Sequence, residues 1–221
     1  MHIDIWSDVV CPFCYIGKAN LDAALKEAGL DAEVRHKAFR LQPGQTPTPV
    51  DQMLAQKYGL TGAAAAQQQK RVVDMAAQAD LDFHLDGTII GDTTDAHKLI
   101  KYAARHGREA AMLERLYRAY FTERRDVLGR DSLLDLAAEA GVDRDGAAAA
   151  FDAPDIAAEV DTDQRFAASL NIRGVPFVVI DRKYAVSGAQ PVAAFVEALR
   201  AAAPAITTLS EGDACGIDGC D

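Results

Sequence analysis

Two cysteines three positions apart, Cys11 and Cys14, carry the clearest chemistry in the sequence. They follow an apolar stretch, Ile3–Val10, and they open a helical run, Tyr15–Ala28. Two thiols with this spacing at a strand-to-helix junction are typical of a dithiol redox motif. Two ordinary buried cysteines and one half of a zinc site are the alternatives that the spacing leaves open.

The two thiols are expected to differ in reactivity. Cys11 falls at or just before the helix N-terminus, where unpaired backbone N–H groups and the positive end of the helix dipole stabilise a thiolate. Pro12 suits an early helical position. Cys14 lies one turn further along and is expected to be less accessible. We therefore expect Cys11 to attack a substrate and Cys14 to resolve the mixed disulfide.

A second close pair, Cys215 and Cys220, lies near the C-terminus. A disulfide between them would close a ring of six residues. Closing so small a ring gains only ~2 kcal/mol from chain entropy, so this disulfide is expected to be readily reduced. The chain from Arg200 onward has an extended limit of about 50 Å, enough to reach Cys11 across a domain ~45 Å wide. We predict a redox couple that exchanges with the first pair. An unrelated exposed pair, or a four-thiolate metal site made from both pairs, are the alternatives.

The composition narrows the class of partner. The chain has 221 residues, with 23 basic and 33 acidic side chains and a net charge of -10. Such a surface repels nucleic acid and anionic lipid, so neither is a predicted partner. No apolar run approaches the roughly 18 residues of a membrane span. The sequence enters strand-like alternation directly after Met1, without signal-peptide features, which favours the cytoplasm. A mature secreted protein with a replacement methionine would look the same.

The elements around the dithiol follow a β-α-β order. Alternating residues 2–8 predict a strand, Gly29 ends the helix that follows, and Glu33–Phe39 predicts a second strand. The thiols then lie at the carboxyl end of the first strand, where open α/β sheets place their sites. From Pro49 the periodicity becomes helical for about a hundred residues, with only a weak strand signal at Leu81–Ile90.

A second group of elements follows the helical block. Pro154 opens a helix, the apolar run after Pro176 predicts a buried strand, and Tyr184 begins a hairpin partner before a closing helix, Pro191–Ala203. The order β-α-β … α-β-β-α is the thioredoxin plan. We predict an α/β thioredoxin fold with an inserted all-helical domain. The predicted divisions are 1–45 and 151–203 for the thioredoxin-like domain, 46–150 for the insert and 204–221 for a tail.

The proline at the head of the predicted strand needs its own explanation. Proline is tolerated in a sheet only at an edge, at a bulge or at the first position of a strand. In a thioredoxin-like plan this place holds a cis-proline loop that faces the dithiol, and Gly174-Val175-Pro176 has the right form. The alternative is a trans proline that only starts the strand, which general statistics favour because ~5% of X–Pro bonds are cis. The Cys-x-x-Cys motif upstream and the hairpin downstream outweigh those statistics, so we predict a cis bond.

These features together resemble the DsbA-like thioredoxin superfamily, and within it the FrnE-type cytoplasmic disulfide oxidoreductases or isomerases. The resemblance covers residues 1 to about 203, and Cys215 with Cys220 matches an extra pair found in similar proteins. It implies thiol–disulfide exchange on protein substrates, supported by a cellular reductant such as the thioredoxin or glutathione system. It also implies a substrate surface formed by Pro12, Phe13, Val175 and Pro176.

Phe13 departs from the typical periplasmic member, which has a histidine between its cysteines. Without a cationic side chain between the two thiols, reductase or isomerase activity is favoured over strong oxidation. Glutathione-dependent isomerases of small aromatic carboxylates and kappa-class glutathione transferases share the layout. They generally have serine where Cys11 stands and no second thiol, so Cys11 and Cys14 argue against that alternative.

Neither a cofactor nor a resident metal is predicted. The electrons reside in the thiols, so no organic cofactor is needed. A metal-binding or metal-sensing protein that uses both cysteine pairs is the remaining non-enzymatic alternative. His97 could face the cleft from the helical block, yet a lone helix histidine is usually structural or solvated, and His36 and His106 show no partner spacing. Trp6 is interpreted mainly as a core residue.

Overall fold

A four-stranded sheet forms the centre of the protein, whose computed structural model describes residues 1–203. The strands are β1 (His2–Ser7), β2 (Glu33–Ala38), β5 (Phe177–Ile180) and β6 (Tyr184–Ser187), in the spatial order β2-β1-β5-β6. Strand β1 pairs in parallel with β2 and antiparallel with β5, and β5 pairs antiparallel with β6. The central position of β1 places the dithiol, which follows it, at the middle of one sheet edge.

Helices surround this sheet: one lies between β1 and β2, one follows β6, and the others belong to the segment between β2 and β5. They are α1 (Pro12–Ala28), α2 (Val50–Tyr58), α3 (Gly62–Ala77), α4 (Thr94–Arg105), α5 (Glu109–Phe121), α6 (Arg130–Glu139), α7 (Arg144–Ala150), α8 (Pro154–Ser169) and α9 (Val192–Ala202). The predicted thioredoxin order with a helical insert is confirmed. None of these helices is long and apolar enough to cross a membrane.

One detail departs from the expectation of an all-helical insert. Residues Thr48–Pro49 and Ile89–Ile90 form two short strands, β3 and β4, that pair antiparallel. Two residues are too few to produce a readable alternation, so the pairing is decided by the helices that bring the segments together. The weak strand signal at Leu81–Ile90 therefore marks a real strand only at its last two residues.

The core of the described residues divides into three apolar clusters, the largest of which contains both thiols. One face of the sheet packs Ile3 and Ile5 against α1 and α9. The other face packs Trp6 against Ala167 of α8, as expected for a core tryptophan. The largest apolar cluster joins α3–α7 to residues 9–16, so the residues around the two thiols are continuous with the helical core. The division of the chain at 45/46 and 150/151 stays a prediction.

Candidate functional site

Cys11 lies at the N-terminus of α1, where the sequence places it. Its backbone is extended, with φ -91° and ψ 112°, and it is the N-cap residue, followed by Pro12 at the first helical turn. The side chain makes no capping hydrogen bond. Pro12 has no N–H, and the Cys14 N–H donates to the Cys11 carbonyl oxygen at 3.0 Å. Stabilisation of a Cys11 thiolate at this position therefore comes from the positive end of the α1 dipole.

Cys14 lies one turn further along and is more enclosed. The exposed fraction is 5% for Cys11 and 0% for Cys14. Burial raises the pKa of Cys14 well above its usual value; Cys11 and the Asp8 carboxylate raise it further, against a backbone hydrogen bond from Asp8. The Cys14 thiol therefore holds its proton at neutral pH, and it cannot reach solvent to lose that proton.

The loop before β5 faces the dithiol. The Val175–Pro176 peptide bond is cis, as predicted, and the Val175 carbonyl oxygen lies 3.8 Å from the Cys11 sulfur. Pro12, Phe13 and Val175 are partly buried, whereas Pro176 is buried against α1. The structure thus brings together all four residues that the sequence assigns to the substrate surface. Their role in binding stays a prediction.

Gly17 is a residue of this site that the sequence did not single out. A Cβ atom at Gly17 would lie 2.8 Å from Cγ of Pro176 and 3.5 Å from Cα of Ala189. Glycine is therefore needed for the close approach of α1 to the proline loop. The sequence indicates this role only weakly, because a single glycine inside a helical run can also be a tolerated helix residue or a helix end.

Below the dithiol lies a buried polar cluster of Ser7, Asp8, His36 and His97. Nε2 of His36 lies 3.2 Å from Nδ1 of His97, and Nδ1 of His36 lies 2.9 Å from the Ser7 hydroxyl. Nε2 of His97 lies 3.4 Å from Oδ1 of Asp8. Asp8 was also missed by the sequence analysis, although an acidic residue inside an apolar run that ends at a dithiol is a signal that could have found it.

The structure decides between the two interpretations of His97 and corrects the interpretation of His36. His97 does not face an open cleft; its side chain is fully buried. His36 does have a partner, because its ring stacks on that of His97 with centroids 5.4 Å apart. The two residues are 61 positions apart in the chain, so no local spacing could reveal the pair.

Aromatic side chains connect α1 to the helical segment beside the dithiol. Tyr15 stacks on Tyr117 with ring centroids 4.7 Å apart, and its hydroxyl donates to Glu114 at 2.6 Å. The Tyr117 side chain is fully buried, close to Ser7. Stacked pairs of this kind add about 0.5–1.5 kcal/mol beyond the area they bury. They fix α1, and with it both thiols, against α5.

Comparison with known proteins identifies the family. A profile of the DSBA-like thioredoxin domain matches residues 2–200. The chain belongs to the DSBA-like thioredoxin domain family. A solved structure of a probable DsbA oxidoreductase from Streptomyces coelicolor shares 39% sequence identity with it, with a TM-score of 0.87, over 100% of this chain and 98% of that one. The match places this family member among DsbA-like thiol–disulfide oxidoreductases.

Two further relatives of this family member are more distant. An uncharacterised protein, YwbO, from Bacillus subtilis is 30% identical over 146 residues, which are 65% of this chain and 68% of the relative. The cytosolic disulfide reductase DsbM from Pseudomonas aeruginosa, solved with GSH, is 22% identical with a TM-score of 0.65, over 91% of this chain and 98% of that one. This second likeness supports the fold.

Two expectations depend on Cys215 and Cys220. Cys215 and Cys220 lie outside residues 1–203, so their exchange with Cys11 stays a prediction. Within the described residues, no group of three or more histidine, cysteine, aspartate or glutamate side chains is arranged to hold a metal ion. The four-thiolate alternative would need the tail pair.

Proposed function

We propose that this protein is a dithiol oxidoreductase or isomerase that acts on protein disulfides, with Cys11 as nucleophile and Cys14 as resolving thiol. The observation that carries the proposal is the placement of Cys11 at a helix N-terminus, 3.8 Å from the carbonyl of the cis-proline loop, with Cys14 fully buried behind it. Cys11 keeps a small exposed fraction and Cys14 keeps none, so a substrate meets the first sulfur before the second.

The reaction follows from this asymmetry. The Cys11 thiolate attacks one sulfur of a substrate disulfide, the substrate S–S bond breaks, and one substrate thiolate leaves. A mixed disulfide then joins Cys11 to the substrate. Attack by Cys14 on the Cys11 sulfur, with loss of its proton, forms the Cys11–Cys14 disulfide and releases the second substrate thiolate. Two electrons have passed from the dithiol to the substrate, and a cellular dithiol or two glutathione molecules return them.

The protein-sized substrate is supported by the surface around Cys11. Phe13 and Val175 are partly buried apolar side chains beside the nucleophile, and Val175 offers its backbone carbonyl. An extended peptide next to a disulfide can pair with such a backbone group and cover the apolar side chains. Phe13 leaves no cationic side chain between the two thiols, which favours reductase or isomerase work over strong oxidation.

The cytoplasm is the proposed compartment and the thioredoxin or glutathione system the proposed reductant. DsbM, which shares the fold, is described as a cytosolic disulfide reductase with GSH. A FrnE-type role for Cys215 and Cys220 completes the proposal. The tail pair would take electrons from, or pass them to, Cys11 by thiol–disulfide exchange. Trapping tests this step: Cys14→Ser and Cys220→Ser combined should accumulate a Cys11–Cys215 disulfide, and its absence contradicts the relay.

Serine variants of the two site cysteines test the main proposal. Reduction of a protein disulfide by glutathione, and rescue of a scrambled disulfide protein, are measured for the wild type and for Cys11→Ser and Cys14→Ser. Cys11→Ser should fall to the uncatalysed rate because no nucleophile remains. Cys14→Ser should lose reductase turnover and accumulate protein mixed disulfides on Cys11. Full glutathione-dependent turnover of small aromatic substrates by Cys14→Ser, without activity on proteins, would instead support the glutathione-isomerase alternative.

A further inference from the structure

Helix α8 covers only part of the sheet face opposite α1 and α9. Trp6 lies under this helix and is fully buried. Asp4, two residues earlier on the same face of β1, keeps a side chain that is 27% exposed. Its Cα partner on β5, Val179, is also partly exposed. A sheet normally buries a face that carries apolar side chains, so this half-open face is a candidate docking surface.

The open part of the face leads to the dithiol. It is a depression of about 440 Å³ lined by His2, Asp4, Arg35, Val179, Asp181 and Arg182. Val179, Phe177 and Val175 occur at every second position and pack against the cluster around Trp6. The Val175 carbonyl oxygen lies 3.8 Å from the Cys11 sulfur. Apolar side chains therefore connect the depression with the nucleophile.

Two large apolar side chains at the end of α8 widen this connection. Phe166 and Leu170 are 47% and 45% exposed, although the Phe166 ring lies 5.7 Å from the ring of Trp6. They are four residues apart, so they lie on one side of the helix. We call five side chains the apolar strip: Val175, Phe177, Val179, Phe166 and Leu170. An exposed strip of this kind indicates an interaction surface.

The dithiol end of the apolar strip carries a cation. Arg173 is exposed, and its guanidinium donates to Oδ1 of Asn171 at 3.0 Å. No acidic side chain of residues 1–203 pairs with it. A segment that binds along the strip should therefore be apolar first and acidic where it approaches the nucleophile.

The chain itself contains a segment with this order of residues. Residues 204–221 carry four acidic side chains and no lysine or arginine. Ile206 and Leu209 are the large apolar residues before Cys215, and Glu211 and Asp213 follow them directly. The acidic residues thus lie next to the cysteine pair, as the position of the cation on the strip requires.

The end of α9 lies near the depression. The helix follows Ala189, whose Cα is 3.5 Å from the place that a Cβ of Gly17 would take, at the dithiol end of α1. Its 11 residues rise about 16 Å, which carries Ala203 toward the His2 end of the sheet. Cys215 is 12 residues further, a span of up to about 40 Å. The path needs about 10 Å to pass the sheet and ~13 Å along β5, so the segment is long enough.

The free edge of β6 is the other route along the sheet, and handedness disfavours it. Strand β6 is parallel to β1, and α1 and α9 pack on the same face. The β1-α1-β2 crossover leads toward β2, whereas a strand added beyond β6 would lie on the opposite side. Its crossover through α9 would then be left-handed, and about 98% of such crossovers are right-handed.

We propose that residues 204–214 bind in the depression and along the apolar strip, and thereby bring Cys215 to Cys11. The inference rests on the tail relay of the proposed function and supplies the surface on which that relay operates. The apolar residues of the segment cover the exposed side chains of α8, and its acidic residues meet Arg173.

The exchange that follows balances in atoms and electrons. The Cys215 thiolate attacks the Cys11 sulfur of a Cys11–Cys14 disulfide, and Cys14 leaves with the electron pair of the broken bond. The Cys220 thiolate then attacks Cys215, and Cys11 leaves in the same way. Two electrons pass from the tail pair to the site, and the reverse sequence returns them. The protons that the tail thiols release match those that the site thiols take up.

An engineered disulfide tests the docking without using the relay. In a full-length chain with serine at all four native cysteines, Leu170→Cys is combined with Leu209→Cys, and disulfide formation is measured in glutathione buffers. Tyr184→Cys with Leu209→Cys is the matched control, because Tyr184 is 41% exposed at the same end of the sheet on the free edge strand. The Leu170 pair should form its disulfide at least tenfold more readily.

Two results of this experiment contradict the docking. Equal disulfide formation by the two pairs would mean that the segment has no preference for the apolar strip. A Leu170→Cys/Leu209→Cys disulfide that joins two chains, seen as a product of doubled mass, would assign the strip to a second copy of the protein.

The native cysteines test whether the docking serves the relay. In the Cys14→Ser/Cys220→Ser chain, the equilibrium of the Cys11–Cys215 disulfide with glutathione is measured. Adding Phe166→Ser should lower the disulfide about tenfold, because less apolar surface is covered. Tyr58→Ser, at a side chain 58% exposed on α2, should leave it unchanged.

Charge reversal at the cation makes the second comparison in this chain. Arg173→Glu should lower the Cys11–Cys215 disulfide about threefold, an effect typical of an exposed charge pair. Arg71→Glu, at an exposed position of α3, is its control and should have no effect.

The docking and the proposed function fail in different ways. A Cys11–Cys215 disulfide that forms equally in the Phe166→Ser and Tyr58→Ser chains overturns the docking and leaves the relay. A native chain without Cys11-dependent reduction of a protein disulfide overturns the dithiol function itself, whichever engineered disulfide forms.

Discussion

Two buried polar clusters lie one turn apart on helix α4 and differ in how completely they are satisfied. At Lys101 the ammonium group binds Asp163 at 2.5 Å and the His36 carbonyl at 2.9 Å. Asp163 also accepts from the Ala38 N–H at 2.9 Å and lies 3.7 Å from Lys37. At His97, one turn earlier, the ring faces an Asp8 oxygen that has no aligned donor among residues 1–203.

The contrast is between the Lys101 cluster, whose hydrogen bonds are complete, and the His97 cluster, whose hydrogen bonds are not. A buried ion pair whose hydrogen bonds are all made holds its elements in one arrangement, and its members gain nothing by exchanging protons. A buried pair whose hydrogen bonds are incomplete lowers stability and is rare in proteins. The Lys101 cluster anchors α4 and α8 to β2. The fixed backbone then holds His97 near Asp8 and the dithiol.

The largest expected effect on stability comes from Lys101→Met. The change removes the 2.5 Å ion pair of the buried Asp163 and leaves it with the weaker one to Lys37 at 3.7 Å, so we expect the free energy of unfolding to fall by about 3 kcal/mol. Urea unfolding of the reduced protein measures it. Lys70→Met is the matched control, because Lys70 pairs with Asp74 on the exposed surface and should change stability by about 0.5 kcal/mol or less. A loss no greater than that of the control would contradict the structural role of Lys101.

An intermediate effect is expected from pH through His36. Its folded-state pKa is lowered by burial and nearby cations, so the unfolded chain binds a proton that the folded chain does not. Stability is then complete above the unfolded pKa of about 6.5 and falls as pH drops below it, by up to about 1.4 kcal/mol per pH unit. Unfolding at a series of pH values should show this slope, reduced in His36→Asn and retained in His106→Asn at an exposed position. An unchanged slope in His36→Asn contradicts the assignment.

The smallest stability effect is expected from Asp8→Asn. The amide oxygen can keep the hydrogen bond from the Leu41 N–H, and the amide nitrogen can donate toward His97. We therefore expect the free energy of unfolding to change by about 1 kcal/mol or less. Calorimetry of the reduced protein checks the value. A loss as large as that of Lys101→Met would make Asp8 a structural residue and remove the contrast.

The parts of the site that are local in sequence could be predicted. The positions of Cys11 and Pro12 follow from a strand, a tight turn and a helix start within a few residues, and Gly29 ends the helix with φ 64°. The cis bond at Val175–Pro176 could be predicted only together with the order of strands and helices along the whole chain, because a proline that starts a strand is usually trans. The helices of the insert follow from apolar periodicity, whereas the two-residue strands β3 and β4 carry too few residues for any pattern.

The sequence alone determined the dithiol, its asymmetry and the thioredoxin plan, because spacing, helix-start chemistry and hydrophobic period are properties of neighbouring residues. Only the tertiary structure decided which buried polar groups meet. Asp8 follows β1, His36 lies in β2 and His97 in α4, and their contact depends on the packing of the helical segment against the sheet. Burial then changed their chemistry, since a group removed from water has only its few neighbours with which to exchange a proton.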